Sequence, residues 1–386
     1  MTTEDFRLKL FFLCASHTLL HVYTNLPSAL LPILISEYKL SILIASIIIA
    51  IPRIFSLFLL LPSGLLADRL GHTKLISFSL LLEVLAAFLI ILFPSIVIIV
   101  FSFSLTALAS TFYHPPALSA TSNIAPPDFM NRSLGFHGAS GTLGISLGPI
   151  TLGLILTWLE WRFVYLIWIG PIFATAIIAF FYKIRSGHQE DHHERRRDLT
   201  TPLKDVLTVT FISFLLLMLF RNAAGGTISI YLTTYLTESK GLDFGLASVI
   251  FGLSPLIGLV SVIIGGYTGD KLGWKKSFIL IISTVTIALF FMFISISTIQ
   301  TVLFYLIYSF FNIMTMPITS SIVAKITPRQ SRGTAYSLEF IPMTIIGIVM
   351  PIILGTLMNF LEIWIIFPIA ITFYIIVLTI TQILKV

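Results

Sequence analysis

Long apolar runs separated by short polar breaks make up most of the chain. The runs are continuous rather than alternating, so they read as helices and not as the strands of a membrane barrel. A helix needs ~20 apolar residues to cross the hydrocarbon core of a bilayer. Cutting the chain at charged and Pro/Gly breaks predicts twelve spans, at 6–35, 42–67, 74–93, 95–123, 132–157, 161–183, 205–237, 244–269, 276–295, 299–324, 332–359 and 361–384. The expected fold is an all-α membrane protein of twelve transmembrane helices.

Composition agrees with that pattern. Of the 386 residues 57% are hydrophobic and only 10% charged. Soluble domains carry about 25% charged residues, so most of this surface must face lipid. The first run has full spanning length and no small-residue cleavage site, and it reads as a retained span rather than a signal peptide. Placing the N-terminus inside puts eighteen of the 23 Lys and Arg residues on the cytoplasmic side, with only Lys39, Arg162 and Lys240 outside. This bias predicts two cytoplasmic termini in a plasma-membrane protein and explains the net charge of +6 without nucleic acid. The single cysteine, Cys14, permits no intrachain disulfide.

The charged punctuation is written twice. "GLLADRLGHTK" at 64–74 and "GYTGDKLGWKK" at 266–276 stand 202 residues apart. Asp68 corresponds to Asp270 and Gly71 to Gly273, while "GPITLG" at 148–153 corresponds to "MPIILG" at 350–355. The polar stretch between spans six and seven separates the copies. The predicted organisation is a six-helix bundle at 1–183, a cytoplasmic linker at 184–204 and a second bundle at 205–386. His188, His192 and His193 in the linker could bind metal, but a solvated loop accounts for them, and no metal site is expected. Two six-span repeats in parallel orientation are a transporter signature, with the substrate site expected between them near the midplane.

These motifs resemble the major facilitator superfamily over nearly the whole chain. The resemblance implies that Gly64, Asp68, Arg69 and Gly71 form a cytoplasmic gating loop latching onto the start of helix 11, near Arg332. Asp270, Lys271 and Gly273 would do the same at the start of helix 5, near Arg132. Physically, Gly64 permits close helix approach, Asp68 can face a positive helix N-terminus, and Gly71 allows a sharp reversal. "GFHGASGTLGISLGPITLG" at 135–153 places Gly141, Gly144 and Gly148 on one face before Pro149. It resembles the helix 5 signature of antiporters in the superfamily, which implies exchange, with protons as the expected counter-ion. "HTLLHVYTNLPSALLPIL" and "YHPPALSATSNIAPP" resemble the fosmidomycin-resistance branch, which exports a phosphonate antibiotic. The usual arginine midway along helix 4 is missing.

Polar residues inside spans are the candidate site. A charge at the bilayer centre costs at least ~2.5–3.5 kcal/mol and needs a partner or a wet cavity. His17, His21 and Asn25 share one stripe of helix 1. Arg221 lies ~15 residues, or ~22 Å, into helix 7, beside Asn222. A guanidinium there suits a carboxylate or phosphonate, though an ion pair with Glu83 or Glu339 would also explain it. Arg53 could supply a second cation or pair with Glu83. The substrate-binding set is therefore His21, Asn25, Arg53, His114, Arg221 and Asn222. His21, His114, His137, Glu339 and Glu83 are the candidates for proton coupling.

No phosphate-binding loop of the P-loop type occurs, so ATP is not the expected driver, and no cofactor is expected. The expectation is a monomeric secondary transporter, not an enzyme, moving a small anionic or amphiphilic compound outward against protons by alternating access. Proton-coupled uptake or exchange of an organic acid or phosphorylated metabolite is the alternative. A non-transporting sensor and a polytopic membrane enzyme are more remote.

Overall fold

The computed structural model describes residues 3–70, 72–93, 95–126, 129–181, 206–327 and 332–384. Among them the chain is helical, with no strand. The helices are α1 (Thr3–His21), α2 (Leu26–Tyr38), α3 (Ile42–Leu70), α4 (His72–Leu92), α5 (Ile96–Ile124), α6 (Met130–Ile155) and α7 (Phe163–Phe181). After the linker come α8 (Val209–Glu238), α9 (Phe244–Leu272), α10 (Trp274–Ile294), α11 (Thr298–Met314), α12 (Met316–Ile326), α13 (Arg332–Leu357) and α14 (Ile366–Ile383). Among the described residues eleven segments are long and apolar enough to cross a membrane, and α13, with its apolar stretch Ile341–Leu357, stands in the place of the twelfth span. The linker expected at 184–204 lies outside the described residues.

Helix ends follow local chemistry. The hydroxyl of Ser95 accepts the Ile98 N–H at the start of α5, and that of Thr208 accepts the Phe211 N–H at the start of α8. Two of the twelve expected helices are not continuous. Span 1 breaks into α1 and α2 at residues 22–25, and span 10 breaks into α11 and α12 at Thr315. Pro27 and Pro317 stand in the first turn after each break. A proline has no N–H to donate, and its ring crowds the carbonyl four residues back. At the first break tighter turns replace the helical bonds, Thr24 N–H to His21 O at 3.1 Å and Leu26 N–H to Tyr23 O at 3.2 Å.

Contacts divide the chain into two compact units. The first is Met1–Leu40, Ile48–His192 and Asp243–Leu253; the second is Ser41–Ile47, His193–Leu242 and Ser254–Val386. The start of α3 thus belongs with the second unit and the start of α9 with the first. In the second unit Ser46 Oγ lies 2.5 Å from the Tyr231 hydroxyl, which donates to the Pro351 carbonyl at 2.9 Å. In the first, a Cβ on Gly153 would stand 2.4 Å from the Gly245 carbonyl oxygen, so paired glycines let α6 and α9 touch by backbone.

The internal repeat appears in the packing. Within the first unit α4 packs on α5 and α7, and α1 on α6; within the second α10 packs on α11 and α14, and α8 on α13. These are the same pairings six spans later. Outward faces carry exposed apolar side chains such as Phe58, Phe181, Val209 and Ile263, suited to lipid.

Candidate functional site

Four imidazoles meet in the first unit. His17 and His21 stand one turn apart on α1, His114 comes from α5 and His137 from α6. The His17 ring stacks on His137 with centroids 4.1 Å apart and planes 12° apart. Its centroid lies 4.8 Å from that of His21 and 5.3 Å from that of His114, and His21 lies 5.1 Å from His114. His17, His21 and His137 are only 6%, 7% and 1% exposed. The His17 Nδ1–H donates to the His137 carbonyl oxygen at 2.6 Å, since that oxygen can only accept. His21 Nδ1 lies 2.8 Å from the Thr24 hydroxyl. Among the described residues His17 Nε2 is buried without a partner, as are both ring nitrogens of His137.

Glycine makes room for this cluster. A Cβ on Gly141 would lie 2.4 Å from His17 Cε1, one on Gly144 2.1 Å from the Thr18 carbonyl oxygen, and one on Gly148 1.8 Å from the Val22 carbonyl oxygen. All three glycines therefore face α1 and its break, and α6 continues through Pro149. Helix α5 likewise continues through Pro115 and Pro116, next to His114. Asn25 is half-buried at the start of α2 and makes no capping bond with its side chain.

The second unit holds a different cluster. Arg221 on α8 donates through Nη2 to the Asn312 carbonyl at 3.1 Å and to the Thr315 hydroxyl. Both acceptors sit at the α11–α12 break. The Tyr374 hydroxyl donates to Asn312 Oδ1 at 3.0 Å and lies 3.4 Å from that of Tyr308. Among the described residues Arg221 Nε is buried without a partner, and no carboxylate lies within 4.0 Å of this guanidinium; Glu339 is half-buried on α13, which packs against α8. Asn222 is half-buried beside it.

Glu83 is fully buried on α4 and accepts from the Thr106 hydroxyl at 2.9 Å, while its other oxygen has no partner among the described residues. Among the described residues it makes no ion pair with Arg53. Arg53 follows Pro52 on α3, is exposed, and makes no ion pair among the described residues.

Of the gating candidates, Gly64, Asp68 and Arg69 lie in α3, but their side chains are outside the described residues, as are Gly71 and the Arg332 side chain. Arg132 is exposed, its guanidinium 5.4 Å from the centre of the Phe129 ring. Asp270 and Lys271 are exposed, with the Lys271 ammonium 5.8 Å from the centre of the Tyr267 ring. Gly273 turns the chain from α9 into α10 at φ 78°, a left-handed conformation that glycine adopts without strain.

Sequence reasoning missed the cradle around Arg221. Tyr305, Tyr308, Asn312 and Thr315 recur at spacings of three, four and three, a polar helical stripe like that of His17, His21 and Asn25. Tyr374 stands alone in an apolar run and gave no such signal.

A family model described as Major Facilitator Superfamily matches residues 13–351. No curated protein matches in sequence. Among solved structures, the chain is similar to a bacterial homologue of the human lysosomal transporter Spinster. In the inward-facing unoccupied form of that protein the TM-score is 0.85 at 14% identity, covering 99% of this chain and 97% of the other. Its inward-facing occupied form gives 0.83 at 14% identity, with coverage of 99% and 97%. A mutant of the nucleoside transporter NupG gives 0.80 at 13% identity, with coverage of 98% and 100%. At these identities the likeness is one of fold.

Proposed function

Because the chain belongs to the major facilitator superfamily and is an integral membrane transporter by family and fold, we propose that it exports a small organic anion in exchange for protons. The fold would work by alternating access, its halves at 1–183 and 205–386 rocking about the 184–204 linker. The observation that carries the anion reading is Arg221. Its guanidinium is held by a backbone carbonyl and a hydroxyl and is matched by no carboxylate within 4.0 Å among the described residues. A cation inside a membrane bundle needs a counter-charge, and guanidinium takes carboxylate or phosphonate through two parallel bonds. His21, Asn25, His114 and Asn222 would be polar lining, and Arg53 a second cation. Resemblance of the helix 5 glycines and of the Tyr-His-Pro run to exporters of the fosmidomycin-resistance branch supports the outward direction.

A second reading, proton-coupled uptake of an organic acid, draws on the position of Glu339. An anion at Arg221 and a proton on Glu339 favour each other, because the proton removes one of two like charges. Such mutual support moves proton and anion together.

Proteoliposomes under a pH jump test both readings. Accumulation of a carboxylate or phosphonate driven by an acidic lumen is the antiport result; accumulation driven by acid outside is the uptake result. Arg221→Ala is expected to abolish the thermal shift that an anionic ligand produces while the unliganded protein melts as before. Retained binding of that ligand by the variant would refute the assignment.

A further inference from the structure

The imidazole cluster has the makings of a metal site. The ligand atoms of His17, His21 and His114 all lie within 4.8 Å of one another. Histidines four residues apart on one helix face are the spacing by which a single helix offers two metal ligands. His114 completes the set from α5, and among the described residues no protein hydrogen bond holds its ring. The hydrogen bonds already present set up the donors. His17 gives its Nδ1–H to the His137 carbonyl, which leaves a lone pair on Nε2, and that atom is buried and unpartnered. A carbonyl behind a histidine is the usual support of a metal-ligating imidazole. The Thr24 hydroxyl can accept from His21 Nδ1–H, and in that tautomer the Nε2 lone pair is left for the cluster.

We propose that His17, His21 and His114 bind one divalent transition-metal ion of the Zn2+, Ni2+ and Co2+ class. Three imidazoles suit these ions, whereas Mg2+ and Ca2+ prefer oxygen ligands. Tetrahedral bonds of ~2.0–2.1 Å require nitrogens ~3.4 Å apart. The widest separation of 4.8 Å must therefore close by about 1.4 Å, within reach of side-chain rotation. Three neutral ligands leave the double charge uncompensated and a fourth position open for water or an anion. His137 acts as a positioning residue, stacked on His17 and orienting it through its carbonyl. The site departs from the sequence expectation of no metal, and it does not rest on the anion reading above.

The test uses the full chain in detergent, free of any purification tag and carrying H188A, H192A and H193A so that the linker offers no competing imidazole. Co2+ is titrated and its visible d–d bands are read. The expected result is the intense spectrum of four-coordinate Co2+, saturating at one ion per chain, displaced by Zn2+ and untouched by Mg2+. His17→Gln, His21→Gln and His114→Gln should each weaken binding by more than the ~10–100-fold that loss of a supporting hydrogen bond costs. A weak six-coordinate spectrum, or an intense one that survives in the His17→Gln, His114→Gln double variant, would overturn the proposal. If the variants do not fold, Zn2+ X-ray absorption on the linker-substituted protein decides. About three imidazoles at ~2.0–2.1 Å support the site, and one or none overturns it.

Discussion

The same substitution on one helix should have opposite effects at two glycines. Gly138 and Gly148 both lie in α6. A Cβ on Gly138 meets nothing within 4 Å, whereas one on Gly148 would stand 1.8 Å from the Val22 carbonyl oxygen. A relaxed carbon–oxygen contact is ~3.3 Å, so α6 and the broken end of α1 must separate by about 1.5 Å to admit the methyl. The obstacle is backbone, which cannot rotate aside, and the cost belongs at the upper end of overpacking, ~3 kcal/mol. For a unit of 150–250 residues, ~2–4 °C per kcal/mol gives a fall of roughly 6–12 °C in melting temperature. Gly138→Ala meets no obstacle and gains helix propensity, up to ~1 kcal/mol in a helix interior, so its melting temperature should hold or rise. Intrinsic tryptophan fluorescence of the purified variants during heating measures both. Equal shifts for the two would refute the claim that α6 touches α1 by backbone at Gly148.

Glu83→Gln should leave melting unchanged, because an amide oxygen still accepts from Thr106; if Glu83 carries the coupling proton, transport loses its response to a pH gradient. A full response retained in the variant removes Glu83 from the coupling path. Tyr231→Phe takes the donor from the Pro351 carbonyl and a partner from Ser46; at ~1 kcal/mol for a lost bond, melting should fall a few degrees, and no fall would show the bond contributes nothing. Gly273→Ala forces a side chain to φ 78° and should lower stability. Gly266→Ala lies inside α9 with its nearest neighbour at 3.9 Å, so melting should hold or rise by the same measurement.

Much of the fold was legible because lipid imposes a simple rule. A backbone in hydrocarbon must satisfy its own hydrogen bonds, so continuous apolar runs can only be helices. Counting those runs, with the doubled "GLLADRLGHTK" and "GYTGDKLGWKK" stretches, leads to twelve spans in two related bundles, and the family and fold agree. The glycine face of Gly141, Gly144 and Gly148 was also readable, since helical period alone puts them on one side.

Which prolines break a helix was not readable. Pro32, Pro115, Pro116 and Pro149 sit inside unbroken helices, while Pro27 and Pro317 follow breaks. A proline frees a carbonyl wherever it occurs; whether the helix opens depends on what neighbours offer that backbone. At the span 10 break the neighbour is Arg221, 91 residues away in the chain, bonded to the Asn312 carbonyl. The histidine cluster is of the same kind. Period predicts that His17 and His21 share a face, but only the packing of α1 against α5 and α6 brings His114 and His137 to their rings. Periodicity and hydropathy are properties of short stretches and determine each helix and its buried side. Coordination and charge balance involve atoms far apart in sequence, and the tertiary structure decides them.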